Sequence, residues 1–295
     1  MQQYLDAIRE VLAKGTRKPN RTGVDTLSTF NINYEIDLRQ GFPLLTTKEI
    51  SWKNIVVENL WFLSGETSIG LLKKHGCKFW DPWADENGKV PSAYGNFWRH
   101  FPVHGPSPGD APAHNDQIAW VLDEIKRNPM SRRLVVSAWA PGNAQTSKLP
   151  PCHSLYVFNV QLDEHGEPLL CLHLTQRSCD MALGVPYNIA GYAFLLELFA
   201  RMTGIRAGIF AHTLIDAHVY TAKPDGSMAE YDHIPGLRTQ LERTPRARPS
   251  LSIDPAIRTL TDLEPLLEAD TETVMKHFVL TGYNPYPAIP FKVAV

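Results

Sequence analysis

The segment Ile189 to Met202 (Ile-Ala-Gly-Tyr-Ala-Phe-Leu-Leu-Glu-Leu-Phe-Ala-Arg-Met) is apolar on nearly every side of a helical projection and is followed by Thr203 and Gly204. A helix with no polar face needs apolar neighbours all round, inside a core or inside a membrane. This one is interrupted by Glu197 and Arg201 and falls short of a bilayer's thickness. The sequence therefore predicts a buried helix over 189–203, ended by Gly204, with the rest of the chain packed around it.

The remaining pattern supplies such a shell. A first helix is expected over 3–15, with Tyr4, Leu5, Ile8, Val11 and Leu12 on one stripe. Phe30, Ile32, Tyr34, Ile36 and Leu38 alternate with Asn31, Asn33, Glu35 and Asp37, which reads as a strand in a sheet covered on one face. Helices are expected over 52–63 and 116–127, the second stopped by Pro129. Strands are expected over 134–139, 154–162 and 169–175, the last two joined by a hairpin at Asp163-Glu164-His165-Gly166. Between His100 and Asn115, four prolines and two glycines mark a loop. The mixture lacks regular βαβ alternation, and no linker or repeat divides it. We therefore expect one α+β domain over 1–295, a mixed sheet covered by helices.

Composition narrows the function. Hydrophobic residues make up 43% of the 295 and charged residues 20%, enough for a substantial core. The formal charge of −2 gives no global attraction for nucleic acid or an anionic membrane, so neither is an expected partner and any anion site must be local. The N-terminal residues lack a secretory pattern, and the cysteines at 77, 152, 171 and 179 form no Cys-x-x-Cys pair. A cytoplasmic protein with reduced thiols and no metal is expected.

Candidate chemistry gathers around Leu149-Pro150-Pro151-Cys152-His153. Cys152 could be a nucleophile, a zinc ligand or a small buried residue. Adjacent side chains on an extended backbone diverge, so His153 makes a poor dyad partner or co-ligand. Arginines lower a thiol's pKa and also clamp phosphate. Arg21, Arg132-Arg133 and Arg177-Ser178 are candidates for both tasks, with surface salt bridges as the plain alternative. Asn188 either caps the helix from Ile189 or, with donor and acceptor on one amide, reads a pyrimidine edge. His218 and Tyr220 share one side of an extended chain and suit sugar hydroxyls. Phe79, Trp80, Trp83 and Tyr94 offer aromatic surface for a flat ligand or for the core.

Taken in order, a set of motifs resembles the folate-dependent thymidylate synthases and their nucleotide hydroxymethylase relatives. They are Arg21-Thr22-Gly23, Gly41 to Lys48, Glu58 to Gly65, Trp80 to Gly88, Tyr94-Gly95, Ser131-Arg132-Arg133, Pro151-Cys152-His153, Gln176 to Asn188, Asp216 to Tyr220, and Ala294-Val295. The resemblance implies a homodimer whose sheets pack back to back, converting dUMP to dTMP with 5,10-methylenetetrahydrofolate as one-carbon donor and reductant. Cys152 would add to C6 of uracil. Glu58, Tyr94, Asn188 and Asp180 would assist. Arg21, Gln176, Arg177, Ser178, Asn188, His218 and Tyr220 would bind dUMP, with Arg132 and Arg133 reaching the other subunit's site. Trp80, Trp83, Asp180, Leu183, Gly184, Tyr187 and Ala294 would hold the folate, and Ala294-Val295 would close the site.

Ser51, Ala140, Val157, Ile215 and Tyr286 depart from the family's usual residues. They bear on the folate side and on hydride versus water capture. The alternatives on the same scaffold are a dUMP hydroxymethylase, in which water replaces the hydride, and an inactive nucleotide- or RNA-binding dimer.

Overall fold

Helix Gly184–Thr203 occupies the centre of the protein, and Phe194, Leu195, Leu196, Leu198 and Phe199 on it are fully buried. Gly204 ends it in the left-handed conformation, φ 77°, with its N–H bonded to Ala200 O at 2.9 Å. The computed structural model describes residues 1–103, 113–144 and 147–294. The helix begins at Gly184, five residues before the expected start. Pro186 lies in the first turn, where a missing N–H costs nothing. Asn188 is therefore inside the helix and does not cap it.

The helices in chain order are α1 (Gln2–Lys14), α2 (Trp52–Ser64), α3 (Gly70–Lys74), α4 (Tyr94–Arg99), α5 (Gln117–Arg127), α6 (Pro141–Ala144), α7 (Gly184–Thr203), α8 (Ile234–Leu241), α9 (Glu264–Glu268) and α10 (Thr271–Lys276). The strands are β1 (Thr16–Lys18), β2 (Asp25–Asp37), β3 (Phe101–Val103), β4 (Ala113–Asn115), β5 (Val135–Ser137), β6 (His153–Leu162), β7 (Pro168–Gln176), β8 (Cys179–Asp180), β9 (Arg206–Thr221), β10 (Ser250–Ile253) and β11 (Phe278–Thr281). The principal sheet has the order β1-β2-β9-β7-β6-β5, with β8 also paired to β9. β9 runs parallel to β7 and β8 and antiparallel to β2, so the sheet is mixed and the fold is α+β. The hairpin β6–β7 turns at 163–167 as expected. β3 and β4 pair at the base of the proline-rich loop, whose residues 104–112 lie outside the described residues.

One face of this sheet carries the core. Ile32 and Ile36 of β2, Tyr156 and Phe158 of β6, Leu172 and Leu174 of β7 and Phe210, His212 and Leu214 of β9 point into it. Alternate residues, among them Asn33, Val157, His173, Thr213 and Ile215, line an opposite face that is only partly covered. Phe30 differs from its expected inward position. It is 79% exposed, because the next residue, Asn31, takes φ 62° and interrupts the alternation. On the core side, Phe194 sits between Trp52 and Phe278 with ring centroids 5.1 Å from each, so α7 joins α2 to the β10–β11 hairpin.

Candidate active site

Cys152 immediately precedes β6, and Arg177 immediately follows β7, its strand partner. Arg177 N–H bonds Cys152 O at 2.9 Å, which brings the two residues together. Prolines carry no N–H but keep a carbonyl, and the two before Cys152 use theirs on this arginine. Arg177 Nη2 donates to Pro150 O at 2.6 Å and Nε to Pro151 O at 2.9 Å. The same Nη2 lies 3.9 Å from Cys152 Sγ, and the guanidinium covers the Trp139 ring at 5.3 Å. Leu-Pro-Pro-Cys is thus a hook that holds a cation against the thiol.

Burial pushes the Cys152 thiol upward, outweighing Arg177, Tyr94 and Arg21, which pull it down. Arg177 and Arg21 act in the expected direction, but they offset the desolvation cost and do not overcome it. His153 is no base for it. Its ring stacks on Tyr94 at 4.4 Å and 21°, and burial pushes it down to about 3 against hydrogen bonding with Asn188. The imidazole is neutral at any working pH.

α4 delivers Tyr94, whose hydroxyl accepts the Cys152 N–H at 3.1 Å. Burial raises this phenol well above its ordinary value. α2 delivers Glu58, which burial pushes up to about 7, opposed by a 2.7 Å hydrogen bond from Trp80 Nε1. Trp80 itself is 6% exposed, edge-on to Tyr94 at 5.4 Å, so it links the carboxyl to the phenol.

A chain of hydrogen bonds with determined polarity reaches Asn188. Gln176 Nε2 donates to Ser178 O at 3.0 Å, and a carbonyl can only accept, so the orientation of the Gln176 amide is fixed. The same nitrogen donates to Asn188 Oδ1 at 3.0 Å. Gln176 Oε1 then faces His212 Nε2 at 3.0 Å, which must carry the proton, and His212 Nδ1 accepts from Tyr34 at 2.8 Å. Burial holds His212 well below its ordinary value, consistent with one ring proton. Asn188 therefore keeps its oxygen toward the protein and its NH2 for a ligand.

β9 presents His218 and Tyr220 on one side, rings 5.4 Å apart, as the spacing predicts. Asp216 anchors His218, whose Nδ1 lies 3.0 Å from Asp216 O, and the Asp216 carboxylate is itself held by Lys18 at 2.7 Å and by Ser28. Burial works against a charged His218, yet the carboxylate raises it overall. Arg21 lies over Trp83 at 5.5 Å, and its charge acts on both Cys152 and Tyr220. Asp180 Oδ1 accepts from Ala182 N at 2.9 Å and Leu183 N at 3.1 Å, shaping the turn into Gly184. Leu183, Gly184, Tyr187 and Trp83 stay partly exposed around it, and Ala294 is 9% exposed. Val295 lies outside the described residues. Arg132 and Arg133 are exposed and, among the described residues, no contact joins them to this cluster.

The departures have identifiable places. Ser51 caps α2, its hydroxyl accepting from Asn54 N at 3.3 Å, while its own N–H meets Tyr187 Oη at 3.3 Å. Ala140 is buried, and Val157 and Ile215 lie on the partly covered sheet face, away from the thiol. Tyr286 lies under Arg246 at 4.0 Å and Arg243 at 5.4 Å. Sequence reasoning assigned no role to His212, His233 or Lys48. Lys48 is pushed down to about 8 by burial, with Asp180 opposing, and bonds Ala182 O. Only its place in the Thr46-Thr47-Lys48 motif marked it, and nothing local marked the two histidines. No group of three His, Cys, Asp or Glu capable of holding a metal occurs among the described residues, and no helix among them is long and apolar enough to cross a membrane.

Comparison with known proteins agrees with this geometry. The family model described as thymidylate synthase matches residues 2–295. A protein named thymidylate synthase from Haloferax volcanii is 41% identical, in an alignment covering 98% of this chain and 95% of that relative. A match of this extent takes in every element that builds the cleft, and the chain belongs to the thymidylate synthase family.

Proposed function

We propose that this member of the family is a homodimeric thymidylate synthase, methylating dUMP to dTMP through a bond between Cys152 Sγ and C6 of uracil. The observation that carries the reading is Cys152 Sγ at 3.9 Å from Arg177, in a cleft that also holds the oriented Asn188 amide. C5 of uracil is a poor nucleophile until a thiolate adds to C6 and pushes the C5–C6 electron pair onto C5 and O4. Asn188 Nδ2 donates to O4 and steadies that charge. An amino group at the same ring position, as in cytosine, would meet a donor with a donor.

Arg177, Arg21 and Ser178 take the phosphate, Gln176 holds Asn188, and His218 with Tyr220 takes the deoxyribose hydroxyl. Trp83, Leu183 and Tyr187 offer flat apolar surface beside Asp180, whose Oδ2 has no hydrogen bond among the described residues. That set fits a pterin, a flat ring edged with N–H donors. When bound, methylenetetrahydrofolate supplies the one-carbon unit and then the hydride. Glu58, held near neutrality, and Tyr94 move the proton that leaves C5, and departure of Cys152 restores the ring double bond. Trp80 sets the Glu58 carboxyl, and the C-terminal segment through Ala294 closes the cleft against water.

The partly covered sheet face, with Phe30 at 79% and Val135 at 40% exposure, supports packing against a second copy. Arg132 and Arg133, just before β5, then reach the second copy's phosphate site. Four free cysteines suit a reducing compartment, which supports a cytoplasmic enzyme.

The test is to supply dUMP and methylenetetrahydrofolate, follow dihydrofolate absorbance and weigh the product. A hydroxymethylated product without dihydrofolate would make the protein a hydroxymethylase. No product and no adduct with a 5-fluorinated dUMP would leave a binding protein. Cys152→Ser should lose at least about a thousandfold in turnover while nucleotide binding, measured calorimetrically, survives.

A further inference from the structure

The segment 283–294 runs as a strap from the 45–50 region to His233, and its fastenings differ along its length. Near its start, Tyr283 Oη donates to Leu45 O at 2.9 Å and Tyr286 N to Thr46 O at 2.8 Å. Closer to Ala294, it meets a buried histidine on the first turn before α8. His233 is 1% exposed, and its N–H bonds Tyr220 O at 3.0 Å. Its Nε2 lies 2.9 Å from Lys292 O. A carbonyl only accepts, so Nε2 carries the proton.

The same ring touches the strap and the site at once. Phe291 lies 5.0 Å from it and Tyr220 5.6 Å, centroid to centroid. Its other nitrogen, Nδ1, is buried without a hydrogen-bond partner among the described residues and points toward Asp180 Oδ1, 4.0 Å away. A core histidine kept for packing alone would be better replaced by an apolar ring, because an unpaired buried nitrogen costs stability. Gly236 supports the arrangement: a Cβ there would come within 2.6 Å of Phe291 Cε1, so α8 is cut back to admit the strap.

We infer that His233 is a positioning residue that fastens the strap at Lys292 to the strand carrying Tyr220. It touches no substrate. Through it, seating of the strap and placement of Tyr220 become one mechanical unit. The consequence for catalysis rests on the thymidylate synthase reading; the fastening itself does not.

Two variants separate the imidazole's roles. His233→Gln keeps a donor where Nε2 stands, and His233→Phe keeps the ring without a donor. Hydrogen–deuterium exchange on the full-length protein, free of ligands, reads the strap directly. Amides of 289–294 should exchange at least about fivefold faster in His233→Phe than in the parent, and near the parental rate in His233→Gln. In the turnover assay, His233→Phe should lower kcat and raise the KM for methylenetetrahydrofolate, with His233→Gln largely restored.

Equal strap exchange in all three proteins, or equal acceleration in both variants, would overturn the inference. So would accelerated exchange spread evenly over the protein, which marks a merely structural histidine. If His233→Phe does not fold, His233→Asn takes its place, since its shorter amide does not reach the Lys292 carbonyl; parental strap exchange in His233→Asn would also overturn it. A parent protein that makes no dTMP would sink the functional reading and leave the exchange result standing.

Discussion

Glu58 and Cys152 both sit where burial disfavours their charged forms, and in each case one neighbour contributes most to the opposing effect. For Cys152 it is Arg177, and for Glu58 it is the Trp80 N–H. The carboxyl lies at about 7 because desolvation raises it more than Trp80 lowers it. Trp80→Phe removes the lowering contribution, so the inflection that Glu58 gives the pH profile of kcat should move to higher pH. An unchanged or more acidic inflection would show that another group controls it. The residues themselves were readable from motif order, but their proton affinities were not. Cys152 has arginine nearby, which argues for a lowered thiol, yet burial, which arises only on folding, outweighs it.

At the scale of elements, the placement of Tyr94 depends on how closely α4 approaches α2. A Cβ on Gly95 would fall 2.2 Å from Phe62 O and 2.7 Å from Phe62 Cα. Gly95→Ala must push α4 outward, at about 1–3 kcal/mol, and pull Tyr94 away from Cys152 N. Thermal denaturation and kcat should fall together; a stable, active variant would contradict the close approach. On α7, burial alone pushes Glu197 up to about 7 from the ordinary 4.5. The folded state therefore binds more protons than the unfolded chain between those values, so the residue's stability cost grows as pH rises through that window and is full above it. Glu197→Gln should stabilise the protein by up to about 3 kcal/mol at pH 8 and by little near pH 4.5, as read by urea denaturation. Equal effects at both pH values would refute the sign.

The long elements were legible because their periodicity is strong: α1, α2, α5 and the β6–β7 hairpin fall within one or two residues of expectation. Failures followed local chemistry. Gly184 and Pro186 look like loop residues but begin α7. β9 spans sixteen residues yet showed itself only through His218 and Tyr220, because it is buried along one face and paired on both edges, which blurs alternation. Six-residue α4 was too short to register at all.

For the whole molecule, the decisive question is which copy supplies which arginine. A protein carrying Cys152→Ser and another carrying Arg132→Ala with Arg133→Ala should each be nearly inactive. If sites are shared across a two-fold axis, unfolding and refolding them together in equal amounts should restore about a quarter of parental activity, since half the dimers are mixed and each has one intact site. No recovery would mean that each site is built from one chain. Phe30→Asp should favour monomers in sedimentation and lose activity with them, while leaving the core intact.

β9 belongs to both surfaces at once. Its residues His218 and Tyr220 face the cleft and Phe210, His212 and Leu214 the core, while Ala211, Thr213 and Ile215 between them face away. Adding or deleting one residue within the strand would exchange the two sets, putting apolar side chains against the nucleotide and histidines on the opposite sheet face. The strand's length is therefore as tightly constrained as the identity of its cleft-facing residues. A change of length is accommodated instead in a connection such as 222–233, which lies outside the strand.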